Sequence, residues 1–309
     1  MNNTWLYKAS LGYLLLPFFI FCLTFIKLWI GIPVVAILTW ISWRVWKQFN
    51  KTSTPLNIRK TDLIIGLIVL GCWVVLSGIG GFAFQNPDHH IRNAIFKDLI
   101  HYEWPVIYPP VDSPQNGSSY GLIYYLGYWL PAALIGKFVG WQAANVVLFL
   151  WTLLGVFITT TLIKLRINVS LFLSSLLLIF FSGMDILGTI VIRSVSPDTY
   201  PTLWPPITAI EWWVAGSFQF SSFTTQLFWV FNQAIPAWIC VGLILNTSDR
   251  RFVYFIWALC FFFAPIPSLG LLPLTLLVVP FAAFHPENLS ITWRLYKLPK
   301  FFKSLLIFK

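Results

Sequence analysis

A run of twenty residues without a charged side chain, LIIGLIVLGCWVVLSGIGGF at residues 63–82, constrains this chain more than any other feature. As an α-helix it would extend about 30 Å, the thickness of the hydrocarbon layer of a bilayer. The rest of the chain agrees with this, because 58% of its 309 residues are hydrophobic and only 10% are charged. Soluble domains carry about a quarter charged residues. The sequence therefore predicts an all-α, polytopic membrane protein and excludes an ordinary soluble enzyme.

Apolar segments recur along the chain and predict about eight transmembrane helices within one integral membrane domain, residues 1–309. The predicted spans are residues 11–26, 28–45, 63–82, 141–163, 171–190, 225–245, 252–265 and 269–284. One more segment, GLIYYLGYWLPAALIGKF at residues 121–138, is short and contains Pro131. Two alternatives stay open for it, a further span or a re-entrant or interfacial segment that does not cross.

The distribution of basic residues favours the second alternative. If residues 121–138 do not cross, 15 of the 20 Lys and Arg residues lie on one side, whereas a crossing changes the division to 8 against 12. Basic residues accumulate on the cytoplasmic side, so the first division is predicted. Two external loops then follow at residues 83–120 and 191–224, with a basic cytoplasmic tail at residues 285–309. Anionic lipid explains the net charge of +10, and no nucleic-acid partner is expected.

The first external loop concentrates polar side chains in the stretch QNPDHHIRN, residues 85–93. Asn86 is a favourable N-cap, Pro87 suits the first helical position, and Asp88 falls in the first turn. The stretch predicts an amphipathic juxtamembrane helix of about four turns. The side chains expected on its apolar side are Ile91, Ala94, Ile95 and Leu99, and those on its polar side are His89, Asn93, Lys97 and His101.

This helix has two interpretations. Asp88 could serve only to begin a helix that lies on the membrane surface, or the polar residues could form a functional cluster. The second interpretation is favoured because five polar residues fall within six consecutive positions of a chain in which one residue in ten is charged. Those residues are Asp88, His89, His90, Arg92 and Asn93.

A second polar cluster is predicted in and around the loop at residues 191–224. Asp185 lies in or at the end of an apolar span, where a carboxylate usually faces the interior of a bundle or a wet cavity. Tryptophan rings beside acids and amides suit a sugar, because rings stack on a pyranose while polar groups bind its hydroxyls. The predicted sugar-binding residues are Glu211, Trp212, Trp213, Gln219 and Asn232. An aromatic belt at the membrane interface is the alternative explanation of the tryptophans.

No established catalytic motif accompanies these clusters. The chain lacks a Gly-Lys-Ser/Thr phosphate loop, a GxSxG stretch and an HExxH stretch. The triplet Asp88-His89-His90 contains metal-ligating residue types, but neighbours on a helix diverge by about 100° and do not form one site. Neither a metal nor another cofactor is therefore expected.

The order of these features resembles the GT-C superfamily of polytopic membrane glycosyltransferases, which use polyprenyl-phosphate-linked sugars. The residues that carry the resemblance are the loop opening QNPDHHIRNAIFKDLIHYEWPVIYPP and the following GLIYYLGYWLPAALIGKF. Asp88 matches the family acid on a juxtamembrane helix, and residues 121–138 match the segment that dips into the membrane. Members are commonly longer, so the resemblance implies a truncated, split or inactive member.

The resemblance implies sugar transfer from a polyprenyl-phosphate donor to a glycan, lipid or protein acceptor. The reaction would take place on the extracytoplasmic side of a bacterial plasma membrane that the chain crosses several times. Asp88 is the expected catalytic base, with Glu103 or Asp185 as alternatives. The residues expected to bind the phosphate are His89, His90, Arg92 and Arg193.

Two other functions stay open. The chain could be a transporter or flippase of a lipid-linked sugar or another anion, with Asp185, Arg193, Asn232 and Gln233 along the path. It could also be a non-catalytic membrane subunit of a larger glycosyltransferase. The scarcity of ionisable residues deep in the predicted spans argues against transport.

Overall fold

The computed structural model describes residues 3–51, 55–109, 119–181, 195, 221–247 and 252–278, and most of these residues are helical. The helices are α1 Thr4–Thr24, α2 Leu28–Lys51, α3 Lys60–Leu76, α4 Pro87–His101, α5 Leu130–Val139, α6 Trp141–Ile167, α7 Leu171–Phe180, α8 Phe223–Asn246, α9 Val253–Phe261 and α10 Pro265–Val278. A 3-10 helix, Leu126–Trp129, precedes α5. Two short strands, β1 Ile107–Tyr108 and β2 Tyr120–Gly121, pair antiparallel.

Four of the helices in the described ranges are long and apolar enough to cross a membrane. They are Thr4–Thr24, Leu28–Lys47, Trp141–Ile167 and Phe223–Asn246. They correspond to the predicted spans at residues 11–26, 28–45, 141–163 and 225–245. The chain is thus a helical membrane protein. The other four predicted spans contain the shorter helices α3, α7, α9 and α10, and eight crossings are not established.

The predicted span at residues 63–82 differs from the helix observed there. Helix α3 begins at Lys60 and ends at Leu76, and a turn at residues 77–83 follows. Three glycines in this turn, Gly78, Gly80 and Gly81, have φ angles of 80°, 85° and 78°. Only glycine adopts this left-handed region readily, so the helix cannot continue through the turn.

The end of the chain also differs from the prediction. Pro265 was expected to end a span, but it is the first residue of α10. Proline suits this position because an N–H group there would have no acceptor within the helix, so its absence costs no helical hydrogen bond. Parts of the predicted spans at residues 171–190 and 269–284 lie outside the described residues. The same holds for most of the predicted loop at residues 191–224 and for all of the predicted tail at residues 285–309.

The segment at residues 121–138 forms one arm of a hairpin with α6. Gly140, with a φ of 95°, turns the chain, and Gly136 then lies against Ala144. Twelve residues from the turn on each arm, the hydroxyls of Tyr128 and Thr152 are 2.9 Å apart. This pairing extends about 18 Å along α6, less than half the length of that 27-residue helix. The hairpin therefore packs residues 121–138 against the first half of α6, and the non-crossing alternative stays a prediction.

The helices α3 and α6 are antiparallel, which defines the two ends of the bundle. One end is here called the α4 end. There the turn after α3 lies against the start of α6, because a Cβ atom added at Gly80 would be 3.0 Å from the backbone oxygen of Asn145. At the opposite end, Asp62 in the first turn of α3 accepts hydrogen bonds from the start of α7. The chain from the end of α3 to the start of α6 therefore returns to the α4 end.

Basic residues of the described ranges are unevenly divided between these ends. Those at the opposite end are Lys8, Arg44, Lys47, Arg59, Lys60, Lys164 and Arg166. Those at the α4 end are Lys27, Arg92, Lys97 and Lys137. This division has the direction that was predicted from the sequence alone.

The core lies between α1, α5, α6 and α8, whereas α2 faces outward. Tyr128 and Trp129 are the bulkiest side chains in the core with almost no exposed surface. On α2, by contrast, Trp29 is 73% exposed, and Trp40 and Trp43 are also exposed. Apolar exposure of this kind suits contact with lipid.

Candidate functional site

The N-terminus of α4 is fixed by Asn86. Its side-chain oxygen accepts a hydrogen bond from the backbone N–H of Asp88 at 3.1 Å, which confirms the predicted start of the helix. Its amide nitrogen donates to the backbone oxygen of Phe228 on α8 at 2.8 Å. That oxygen can accept from outside because Val230, with φ −138° and ψ 34°, interrupts α8 at this level. The kink in α8 therefore positions α4.

The predicted apolar face of α4 is only partly correct. Ile95 and Leu99 are buried as expected, but Ile91 is 64% exposed, whereas His89 is only 2% exposed. The reason is Phe231 on α8, whose ring stacks on the His89 imidazole with centroids 5.8 Å apart. The buried face of α4 therefore includes polar residues at its N-terminal half, which a purely amphipathic pattern does not predict.

Asp88 and Arg92 form an ion pair on this helix. The Nη2 atom of Arg92 lies 3.0 Å from Oδ2 of Asp88, with the Asp88 side chain 46% exposed and the Arg92 side chain 6% exposed. The Arg92 guanidinium also lies over the Phe231 ring, 5.5 Å from its centroid. A buried cation thus holds a half-exposed carboxylate at the α4 end of the bundle.

Several buried polar atoms close to this pair have no hydrogen-bond partner among the described residues. They are Nε and Nη1 of Arg92 and Nε2 of His89. Asn232, which follows Phe231 on α8, is fully buried, and neither of its amide atoms has a partner within the described ranges. Buried polar groups are usually satisfied, so such a concentration is typical of a place where a ligand or water binds.

Burial determines the charge of His89. Loss of hydration lowers the pKa of His89 to about 4, and the nearby Arg92 charge acts in the same direction. The backbone of Phe228 and Ser77 and the charge of Asp88 oppose this shift without cancelling it. The imidazole is neutral at pH 7. It was predicted to bind phosphate as a cation, but in this state it can donate one hydrogen bond only.

The other predicted residues of α4 and its surroundings lie apart from the Asp88–Arg92 pair. His90 is exposed. Glu103 follows the C-terminus of α4, about 20 Å from Asp88 along the helix axis, and is exposed. Its charge acts on Lys137, whose Nζ donates to the backbone oxygen of Tyr102. The two carboxylates, Asp88 and Glu103, therefore do not share one site.

The C-terminal part of α4 is anchored by the aromatic residues after it. Trp104 Nε1 donates to the backbone oxygen of Leu99 at 2.8 Å, and the Tyr108 hydroxyl donates to Asp98 Oδ2 at 2.5 Å. Burial and the Asp98 carboxylate raise the pKa of Tyr108 to about 12, so this phenol stays protonated as the donor.

An open pocket of about 560 Å³ lies on the other flank of α4, and sequence analysis did not predict it. It lies between the turn after α3, the middle of α4 and the start of α6. Its polar and aromatic lining residues are Phe82, Gln85, Asn93, Trp141, Gln142 and Asn145. The one signal in the sequence was the group of glycines at residues 78–81, which allows the backbone to approach α6 closely.

The remaining predicted site residues, Asp185, Arg193, Glu211, Trp212, Trp213 and Gln219, lie outside the described residues. Among the residues that are described, no three His, Cys, Asp or Glu side chains are arranged to hold a metal ion.

A scan against protein-family models, a search of curated proteins and a search of solved structures found no match for this chain. The fold and the site therefore define its class by themselves. It is a helical membrane protein with a helical hairpin formed by α5 and α6 and a polar helix at one end of the bundle. The particular feature of this chain is a half-exposed carboxylate paired with a buried guanidinium.

Proposed function

We propose that this protein is a membrane glycosyltransferase of GT-C type that moves a sugar from a polyprenyl-phosphate donor to a glycan, lipid or protein acceptor. The observation that carries the proposal is the Asp88–Arg92 pair, which combines a half-exposed carboxylate with a buried cation whose Nε and Nη1 atoms have no partner among the described residues. The α4 end is the proposed extracytoplasmic end, because basic residues concentrate at the opposite end.

In this mechanism Asp88 accepts the proton of an acceptor hydroxyl. The hydroxyl oxygen attacks the anomeric carbon of the sugar, and the bond between that carbon and the phosphate oxygen breaks. The polyprenyl phosphate leaves with the electron pair of the broken bond. A carboxylate oxygen suits the first step as a proton acceptor, and an acceptor can reach Asp88 because 46% of its side chain is exposed.

Arg92 would act on the departing phosphate. Its guanidinium lies 3.0 Å from the Asp88 carboxylate, so a phosphate that approaches the carboxylate also approaches the guanidinium. The unpaired Nε and Nη1 atoms supply donors for phosphate oxygens when the ligand displaces the surrounding side chains. Of the residues predicted to share this role, His90 and Arg193 remain candidates, and neutral His89 would contribute a hydrogen bond.

The remaining roles stay as the sequence predicts them. Asp185 is the alternative base, and sugar recognition is assigned to Glu211, Trp212, Trp213, Gln219 and Asn232. For Asn232 the support is its unpaired, buried amide. No cofactor is proposed.

A second candidate function is movement of a lipid-linked sugar or another anion across the membrane. The observation that favours it is the interrupted helix α8, with a break at Val230 and Pro236 four residues after Asn232. Proline leaves the backbone oxygen of Asn232 without its helical donor, and discontinuous helices of this kind form substrate sites in transporters.

One assay distinguishes these functions. Purified protein in liposomes receives a polyprenyl-phosphate donor with a radiolabelled sugar, together with a membrane extract as the source of acceptor. We expect labelled covalent product that depends on the protein. Movement of labelled donor across the bilayer without product would establish transport instead, and neither result would be obtained with a non-catalytic subunit.

The Asp88→Asn variant tests the base within the same assay. Loss of a general base lowers the rate by about 100- to 10,000-fold, so product formation is expected to fall within this range. The matched control is Asp98→Asn, the same change on the same helix, at a side chain that binds Tyr108. Equal activity of Asp88→Asn and wild-type protein would contradict the proposal.

A further inference from the structure

The pocket on the other flank of α4 is separate from the Asp88–Arg92 pair. Asn93, which lines the pocket, follows Asp88 by five residues, and this spacing places it about 140° around the helix axis. The Asp88–Arg92 pair contacts α8 through Phe231, whereas the pocket lies towards the start of α6. One helix therefore separates two sites of different chemistry.

The lining of this pocket combines polar and apolar side chains and contains no charged one. Its polar side chains are the amides Gln85, Asn93, Gln142 and Asn145, together with the indole of Trp141. Lys97 lies over the Trp141 ring, 5.2 Å from its centroid, and is not among the lining residues. Because an anion in such a pocket would have no paired charge in the lining, the pocket disfavours phosphates and carboxylates.

Internal hydrogen bonds hold three of the amides in place. Gln85 Nε2 donates to the backbone oxygen of Gly78 at 2.8 Å, and Asn93 Nδ2 donates to Gln85 Oε1 at 2.9 Å. Asn145 Nδ2 donates to the backbone oxygen of Trp141, also at 2.9 Å. These bonds use amide nitrogens as donors, which leaves the Oδ1 atoms of Asn93 and Asn145 to accept from a ligand.

These properties match a neutral polyhydroxylated group. Each hydroxyl of such a group both donates and accepts hydrogen bonds, as an amide side chain does, and an indole packs against the less polar face of a sugar ring. The volume of about 560 Å³ lies within the range of small-molecule pockets, about 300–1,000 Å³. Gln142 and Asn145 are three residues apart on α6, so both amides lie on the same face of that helix.

We infer that this pocket binds a neutral saccharide, either free or as the headgroup of a glycolipid. The inference does not depend on sugar transfer by Asp88, because no residue of the Asp88–Arg92 pair lines the pocket. The location at the level where α3 ends and α6 begins places the pocket at the α4 end of the bundle, where a lipid headgroup can reach it.

The test uses the full chain in phosphatidylcholine nanodiscs, free of glycoside detergent. Saturation-transfer NMR measures binding of the methyl glycosides of glucose, galactose, mannose and N-acetylglucosamine, with glucose 6-phosphate as the charged comparison. A second set of nanodiscs contains glucosyl-diacylglycerol, and its effect on the thermal midpoint is measured. Saturable binding of a methyl glycoside indicates a free saccharide, and a response only to the glycolipid indicates a headgroup. Both results support the inference.

Two variants connect the binding to this pocket. Val146→Phe fills the pocket from its α6 side and is expected to abolish binding, whereas the same change at Val139, which is exposed and outside the lining, should leave binding unchanged. Asn145→Ala removes an amide whose hydrogen bond lies within its own helix, and about fivefold weaker binding is expected.

The inference is overturned if no methyl glycoside and no glycolipid binds saturably, if glucose 6-phosphate binds more tightly, or if Val146→Phe binds as wild-type protein does. The two proposals can fail separately. If sugar transfer is not observed, saturable binding of a methyl glycoside that Val146→Phe abolishes would still support the saccharide pocket, because neither Asp88 nor Arg92 lines it.

Discussion

Two aspartates lie in the first turns of two helices at opposite ends of the bundle, and their oxygen atoms are used differently. Asp62 on α3 accepts the backbone N–H of Leu171 on Oδ2 at 2.8 Å and that of Phe172 on Oδ1 at 3.0 Å. Asp88 on α4 pairs through Oδ2 with Arg92, and Oδ1 accepts no hydrogen bond from the described residues. The same residue type in the same helical position thus has both oxygens occupied in one case and one oxygen open in the other.

The number of occupied carboxylate oxygens distinguishes a structural acid from a candidate base in this protein. The Asp62 side chain accepts from two backbone N–H groups at the start of α7, which have no acceptor within that helix, so its carboxylate connects two helices. Asp88 also lies where the helix dipole favours an anion, but its own helix is already capped by Asn86. Its carboxylate therefore remains for contact with a ligand.

After Asp88→Asn, the largest effect is expected from Arg92→Met, which removes the cation that pairs with Asp88. Loss of the cation that stabilises a developing charge costs about 100-fold in rate or more, so transfer should fall by that factor. Stability should stay unchanged or rise, because methionine has a similar length and removes unpaired buried donors. Transfer rate and thermal midpoint in nanodiscs provide the measurement. Lys97→Met on the exposed face of α4 is the control, and unchanged transfer in Arg92→Met would exclude a role for the pair.

The next effect is expected from Asp62→Asn at the opposite end, which removes one of the two acceptor oxygens that bind the start of α7. An amide offers one acceptor and turns a donor towards the second N–H, so the free energy of unfolding should fall by about 1–3 kcal/mol. Ser170 continues to cap α7 through its bond from the Leu173 N–H, which limits the loss. Denaturant unfolding measures the change. An unaltered unfolding free energy would show that Asp62 does not connect the helices.

The smallest effect is the pH dependence that His89 contributes beside Asp88. Its folded pKa of about 4 lies below the unfolded value near 6.5, so the unfolded chain binds one more proton between these values. Stability is therefore highest above pH 6.5 and is lost as the pH falls towards 4, by about 1 kcal/mol between pH 7 and 5.5. The difference between wild-type protein and His89→Gln should show this dependence. The exposed His90→Gln should behave as wild type, and identical pH curves for all three would contradict buried, neutral His89.

Sequence patterns predicted the features that depend on nearby residues. Four long apolar runs became span-length helices because hydrocarbon requires internally satisfied backbones, and the Asn86-Pro87-Asp88 order predicted the start of α4 from cap chemistry. The division of basic residues predicts that residues 121–138 return to the side from which they start, which stays a prediction.

Features that depend on distant residues could not be predicted in this way. The buried position of His89 and Arg92 follows from Phe231, about 140 positions later in the chain. The bond from Leu171 to Asp62 joins residues 109 positions apart, and the pocket combines three separate elements. No periodicity within α4 contains this information, because the packing partner determines which polar side chain is covered.

The most direct test measures sugar transfer in a single turnover and unfolding stability for Asp88→Asn and Asp62→Asn in the same nanodisc preparation. The two variants are expected to have opposite effects on the transfer rate per folded molecule. Asp88→Asn should lose transfer by about 100-fold or more per folded molecule, whereas Asp62→Asn should lose stability and keep its transfer rate per folded molecule. Undiminished transfer by Asp88→Asn, or equal losses of rate in the two variants, would contradict the central claim that Asp88 is the base.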